Sequence, residues 1–523
     1  MGVFVCNDGI KGYKMNKLSN VKMPVTATES DLLAKASKLS GIPKDKIKTF
    51  KILKKSLDAR DKNNIFYNYS LEVSNKKELE EERIYKKVNG KPTALVVGAG
   101  PAGLFCALNL LRSGVDVTLI ERGKPVEERQ KSVDNFIKNG ILDENSNIQF
   151  GEGGAGAFSD GKLNTQVGGA YVKQVTDEFV RFGAPSEVGF LNKPHVGSDN
   201  LKTVVKNIRN EILSLGGKIK FDTTLTDLEI QNGKVVKAYY GKESNNFDVI
   251  VLAVGHSARD VYEMVNRRNI YIESKDFAVG LRIEHLKDDI NLAQYGEKYA
   301  KLSCMPTADY KLTSRRLDRG VFTFCMCPGG YVMPSSSEKD TVVVNGMSNF
   351  KRDAINSNSA IIVQVGKKDF SGDVFGGVNY QKQLERIAYD LGGGDYLAPC
   401  MLTGDYLEGH ESSGFGKVIP SYERGVNKAD LNKLFSAEIN DALKFAITDM
   451  AKRLKGFDSY DSVLTGVESR TSSPIRIVRN QDLTSLSANN LYPCGEGCGY
   501  AGGITSAAID GIKVAEKIVE RFL

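Results

Sequence analysis

Ala94-Leu95-Val96-Val97-Gly98-Ala99-Gly100-Pro101-Ala102-Gly103 is the stretch on which the fold of this 523-residue chain turns. Ala94 to Val97 is a continuous apolar run, the pattern of a strand covered on both faces of a parallel sheet. A glycine turn follows at once. Ala102 to Ser113 then carries apolar residues at helical spacing, and Val115 to Ile120 alternates as a second strand. Strand, helix and strand within about 30 residues make the minimal βαβ unit. Gly98 permits the tight turn, Gly100 lets main chain lie against a diphosphate, and Gly103 lets the helix pack closely on the sheet. Pro101 and Ala102 open the helix, where unpaired N–H groups and the dipole favour an anion. Glu121, 23 residues after Gly98, ends the second strand, where a carboxylate can accept hydrogen bonds from an adenosine ribose; Arg122 follows it. This pattern suits FAD and NAD alike. The alternative is a tight turn that holds no ligand.

Two distant segments point to the same place. Asp248 to Gly255 reads as a buried strand, and its small terminal residues Ala253 and Gly255 can pass beneath a bound dinucleotide without clashing. Leu491 to Thr505 is glycine-rich and runs into a closing helix over Ala501 to Phe522. Here Gly495 and Glu496 are placed for ribityl or ribose hydroxyls, and Gly502, Gly503 and Ile504 start the helix. The N–H groups of Gly503 and Ile504 can face the N1 and O2 edge of a flavin. Negative charge gathers at that edge on hydride uptake, and a helix N-terminus stabilises it. A nicotinamide needs no such support, so the closing loop favours FAD.

Together these motifs resemble the FAD-binding scheme of the glutathione-reductase-type flavoprotein superfamily. More narrowly, Ser56 to Arg60, Gly151 to Leu163, Gly255 to Asp260, Phe324 to Gly330, Arg470 to Pro474 and Cys494 to Gly503 resemble a bacterial family known only as FAD-dependent, or NAD(FAD)-utilising, dehydrogenases. The resemblance spans nearly the whole chain and implies FAD and the fold, without a substrate. It further implies that Phe150 to Leu163 wraps the cofactor, with Gly153, Gly154 and Ala155 near the diphosphate and ring. Ser159, Asp160 and Lys162 become candidate polar contacts, and Arg129, on the helix after Glu121, a phosphate ligand. A glycine-rich surface loop is the alternative.

The rest of the chain bounds the reading. Hydrophobic residues make up 41% and charged residues 26%, an ordinary globular balance, and the length suggests three or so domains. The longest apolar runs fall far short of the roughly 20 residues of a membrane span, and no secretory leader is recognisable, so a cytoplasmic protein is expected. Residues 1 to 92 carry 20 Lys and Arg against 11 Asp and Glu, whereas the whole chain is only +7. That front segment reads as a small basic α/β domain, with a strand at Val21 to Val25, a helix from Thr28 or Ser30 to Leu39, and strands at Lys48 to Leu53 and Ile65 to Val73. A Lys-rich solvated face explains its charge; an acidic partner is the functional alternative, without a strong nucleic-acid signal. Lys76 to Lys91 reads as a helical linker. Met15 is a natural alternative start, which leaves residues 1 to 14 as expected disorder.

The eight cysteines match no metal-site spacing. Cys325 and Cys327 stand two apart on a strand, where a disulfide would be strained, and are read as thiols. For substrate chemistry, Phe277 to His285 alternates as a strand with Arg282 and Glu284 on one face. Arg470 and Arg476 are cationic candidates for gripping an anion, and His256 follows the flavin-domain strand. The candidate catalytic set is thus His256, Arg282, Glu284 and Arg470, each with a structural alternative.

The expected architecture is α/β. A Rossmann-like FAD-binding domain with a parallel sheet spans residues 91–256 and 486–523, an inserted mixed α+β substrate domain residues 257–485, and the small domain residues 1–90. The expected activity is hydride transfer between flavin N5 and a small-molecule substrate. Since only one glycine-triplet unit is legible, NAD(P)H is expected at most as a transient reductant. An FAD-dependent monooxygenase and a flavin-containing RNA-binding or scaffold protein remain open.

Overall fold

The strand Thr93–Val97 (β1) sends alternate side chains to opposite sides, and both sides are covered. Ala94 and Val96 join a core with the helices Pro101–Arg112 (α1) and Ile504–Arg521 (α2), whereas Leu95 and Val97 join one with an antiparallel meander of residues 225–245. That double burial is why the strand reads as an unbroken apolar run. Asp116–Ile120 (β2), Lys218–Lys220 (β3), Val249–Leu252 (β4) and Leu491–Pro493 (β5) complete a five-stranded parallel sheet in the order β5-β4-β1-β2-β3. Val97 pairs with Ile120 on one side and Leu252 on the other, and Leu252 pairs with Pro493, so four strands stop at one level. Ligands of open parallel sheets lie beyond such carboxyl ends. The expected α/β fold with a parallel sheet is the one this chain adopts.

The computed structural model describes all residues except 1–3, 9–14, 78–82, 166–168 and 371. At the front, strands Met15–Pro24, Thr49–Asp58 and Phe66–Ser74 pack on the helix Glu29–Ser40. Thr28 caps that helix, its side chain accepting from the Asp31 N–H while Asp31 accepts from the Thr28 N–H. Phe4–Asp8 pairs with Met15–Ser19 as a further strand, so the disorder expected for residues 1 to 14 does not hold there; the remainder of that stretch lies outside the described residues. Nor is the linker helical where described, since residues 83–92 contain no helix. This unit is docked rather than tethered: Val25 and Ile65 are buried in the core of the inserted unit, and Lys55 exchanges main-chain hydrogen bonds with Phe190 and Asn192.

The insertion is built on a seven-stranded sheet in which Phe277–Leu286 is central, flanked by Asn356–Val365 and Val463–Glu468. Helix Ala437–Ala451 covers it through Ile439, Leu443 and Ile447. Residues at both edges of the expected insertion belong elsewhere: Val261, Met264 and Val265 of helix Arg259–Arg267, with Ile477, pack in the meander core beside Leu491. Among the described residues no helix is long and apolar enough to cross a membrane.

Candidate functional site

One cavity of about 510 Å³ starts at the carboxyl ends of β1, β2 and β4 and continues to the inserted sheet. Its floor is the glycine turn. Gly98 has φ +104°, and a Cβ there would lie 2.3 Å from the Ala253 carbonyl oxygen, so β1 and β4 meet in a way only glycine allows. A Cβ on Gly103 would lie 1.8 Å from the Gly98 oxygen, which explains that glycine by helix packing; it does not reach the cavity. Gly98, Gly100, Pro101 and Ala102 do line it, as do Ala253 and Gly255. Gly495 packs against Ala102 below the surface and donates to Asp510.

Glu121 lines one end of the cavity. Its carboxylate accepts main-chain hydrogen bonds from Ala99 at 2.8 Å and from Gly123 and Gly151 at 3.0 Å each. It therefore staples the glycine turn to the glycine loop as well as facing the cavity. Arg122 lies over the Phe150 ring at 4.3 Å and pairs with Asp260. Thr223, Thr224 and Leu225 close this end. They were invisible in the sequence, being the entry to an ordinary hairpin.

Arg129 does something other than the phosphate contact expected of it. It is fully buried away from the cavity, and its guanidinium donates to the carbonyls of Asn147, Ile148, Glu152 and Gly154 at 2.7–2.9 Å. The loop carries many carbonyls and few side chains, so a buried five-donor fork is what lets it curl. Gly153 packs on Val205, whereas Gly154 and Ala155 line the cavity opposite Gly100.

At the other end α2 begins. Gly502, Gly503 and Ile504 line the cavity, and a Cβ on Gly502 or Gly503 would meet nothing within 4 Å. The first N–H groups of a helix have no partner inside it. Thr505 ties this turn to the glycine loop by donating to the Leu163 carbonyl at 2.8 Å. Glu496 lines the cavity, and no described residue hydrogen-bonds or ion-pairs with its carboxyl. Burial pushes that carboxyl up to about 7, with Lys275 drawing it back. Bare main chain, two open helix starts and an unpartnered acid suit FAD: diphosphate for the N–H groups, hydroxyls for Glu496.

The facing wall comes from the insertion and includes Cys325, Cys327, Asn345, Gly346, Glu468 and Thr471. Cys325, at φ +43° on a bulge, presents a free and exposed thiol. Arg282 and Glu284 do share one strand face, yet neither reaches the cavity. Arg282 pairs with Glu468 at 2.9 Å and donates to Asn358, bracing the wall from behind; Glu284 is fully buried and accepts from Ser421 and Asn356. Arg470 lines the cavity but is saturated by Glu385, Ser257 and Ser337. Arg476 is not at the cavity and lies beside the Tyr500 ring. His256 lines it; burial, then Arg470 and Arg259, push its ring down to about 3, so it is neutral.

Ser159, Asp160 and Lys162 also line the cavity. Burial opposes ionisation of Asp160, but Lys162 at 3.2 Å and Arg352 at 2.6 Å outweigh it and hold its carboxyl well below the usual range. The Lys162 ammonium, disfavoured by burial, is held charged by Asp160 and stands 4.0 Å from the Cys327 sulfur.

A family profile described as "Pyridine nucleotide-disulphide oxidoreductase" matches residues 92–285, one described as "FAD-dependent protein, C-terminal domain-like" matches residues 276–471, and a domain of unknown function matches residues 15–74. An uncharacterized protein of Clostridium beijerinckii is 42% identical across 97% of this chain and 99% of its own length. Among solved structures, CtdE in complex with FAD is similar at 11% identity and TM-score 0.33, covering 83% of this chain and 89% of that one. A glycine oxidase of Bacillus cereus is similar at 11% identity and TM-score 0.32, covering 82% and 95%. Both are too distant to bear on the reaction.

Proposed function

Because this FAD-dependent oxidoreductase belongs to the same family as the Clostridium beijerinckii protein, we propose that it transfers a hydride between FAD and a small organic molecule admitted between its two larger units. The observation that carries this reading is the continuity of one cavity from the glycine turn, past Gly503 and Ile504, to the wall of the inserted sheet. Bound there, FAD supplies hydride acceptance or donation. The chain supplies position and electrostatics. Main chain at Gly100 to Ala102 and at Gly154 holds the diphosphate, Glu121 faces the adenosine end, and Glu496 accepts from ligand hydroxyls. The N–H groups at the start of α2 favour negative charge beside them. His256, neutral and backed by two buried arginines, offers a hydrogen bond rather than a charge. Reduced nicotinamide is proposed as a transient visitor to the same open cavity.

The test is anaerobic. Flavin-loaded protein is mixed with a panel of small alcohols, amines, hydroxy acids and enoates, and separately with NADH and NADPH. Loss of the visible flavin absorbance with one of them, and its return with a matched acceptor, is the expected result. Oxygen consumption coupled to a hydroxylated product, with no anaerobic bleaching by any substrate, would replace the dehydrogenase reading by a monooxygenase.

A further inference from the structure

Charge is unevenly matched at the end of the cavity beyond the α2 start. Four charged side chains there are neutralised by a partner: Glu468 by Arg282, Arg470 by Glu385, Lys193 by Asp309 at 2.7 Å, and Asp160 by Arg352. Of the two arginines that looked from sequence like anion grips, Arg470 is therefore used up and Arg476 does not reach the cavity. Two lysines are not. Lys162 shares Asp160 with Arg352, so that buried trio carries two cations against one anion. Lys311 lines the same cavity, and no described residue pairs or hydrogen-bonds with its ammonium. Burial and then Arg352 disfavour the charged form of His195, beside the trio. Among the described residues, the cavity acids other than Glu121 and Glu496 each have a cation of their own.

We infer that the small molecule is an anion, a carboxylate in the first instance, held between the Lys162 and Lys311 ammonium groups. Lys162 comes from the loop following the glycine segment and Lys311 from the insertion, so the anion is gripped from both units. Lys162 is the stronger anchor. It is mostly enclosed, with 27% of its side chain exposed, and its position is fixed by Asp160, so little ordering is needed to meet a ligand oxygen. Lys311 is exposed at the mouth, where its charge draws anions in and is screened by salt.

This inference rests on the function proposed above, and its test separates the two. Flavin-loaded protein is titrated calorimetrically with malonate, succinate and glutarate, and with their uncharged diamides, at low and moderate salt. At least one dicarboxylate is expected to bind at least about tenfold more tightly than its diamide. Lys162→Met should weaken that binding by about tenfold or more, Lys162→Arg should restore most of it, and Lys311→Met should weaken it less and reduce its salt dependence. Bound FAD should stay unchanged in Lys311→Met. Failure of every dicarboxylate to bind, diamides binding equally well, or Lys162→Met losing FAD instead of dicarboxylate affinity would each overturn the inference. If Lys162→Met does not fold, the exposed Lys311→Met and the diamide comparison still decide it. Protein unable to bind FAD at all refutes the proposed function instead.

Discussion

Replacing Glu496 by Gln separates what this acid costs from what it does. Burial raises its carboxyl from 4.5 to about 7. An acid whose folded pKa lies above its unfolded one holds an extra proton in the folded state between those values. Stability of the flavin-free protein must then decline as pH rises from 4.5 to about 7, and stay lowered above that. At 1.36 kcal/mol per pH unit the loss is about 3 kcal/mol. Glutamine does not titrate, so the Glu496→Gln protein should lack this decline and gain about 3 kcal/mol on wild type between about pH 5 and pH 8. FAD reverses the comparison. Hydrogen bonds from ligand hydroxyls to a charged acceptor are worth about 1.5–3 kcal/mol, so the variant should bind FAD about ten- to a hundredfold more weakly above pH 7. Urea unfolding of flavin-stripped protein across this pH range, with FAD titrations followed by fluorescence, reads both effects. Parallel pH curves for the two proteins, or unchanged FAD affinity, would refute the placement of Glu496 as an unpartnered acid facing the cofactor.

Gly98→Ala puts a methyl group 2.3 Å from the Ala253 carbonyl at φ +104°, so the variant should purify with little or no flavin, read from its flavin-to-protein absorbance ratio. Glu385→Gln leaves Arg259 and Arg470 facing each other without their shared anion and should cost about 3–5 kcal/mol in urea unfolding near neutral pH. The two arginines hold Glu385 well below its usual 4.5 against burial, so wild type keeps this contribution above 4.5 and loses it as pH falls further; the difference between wild type and variant should shrink only in that acid range. His256→Gln should leave the pH dependence of flavin reduction unchanged between about pH 5 and pH 8, because the ring, lowered to about 3, has no ionisation there to lose; disappearance of a step in that range would contradict its neutrality.

What could be read from the sequence was whatever is carried by main-chain geometry. Gly98 and Gly103 are dictated by contacts of backbone with backbone, as is the approach of Gly511 to Ala102 that packs α2 on α1, and such needs leave glycine as their mark. The continuous apolar run of β1 likewise announced that both of its faces are buried, and the apolar spacing of α2 which of its faces is. Side-chain roles were another matter. Arg129 stands near a glycine loop, where a cation suggests phosphate; only the fold reveals four carbonyls turned toward it. Alternation correctly put Arg282 and Glu284 on one face, but periodicity cannot tell which layer that face meets, and here it meets Glu468, Asn358 and Ser421 behind the cavity wall. Lys311 and the Thr223 to Leu225 stretch carry no motif. They reach the cavity because distant segments meet there.

A crystal structure of the flavin-loaded protein tests the cofactor site most directly. Diphosphate oxygens are expected within hydrogen-bonding distance of main-chain N–H groups at the start of α1, with the ring edge against Gly503 and Ile504 and Glu496 on a ligand hydroxyl. Flavin found outside this cavity, or bound with its diphosphate remote from Gly100 and its ring remote from Gly503, would contradict the site described for it.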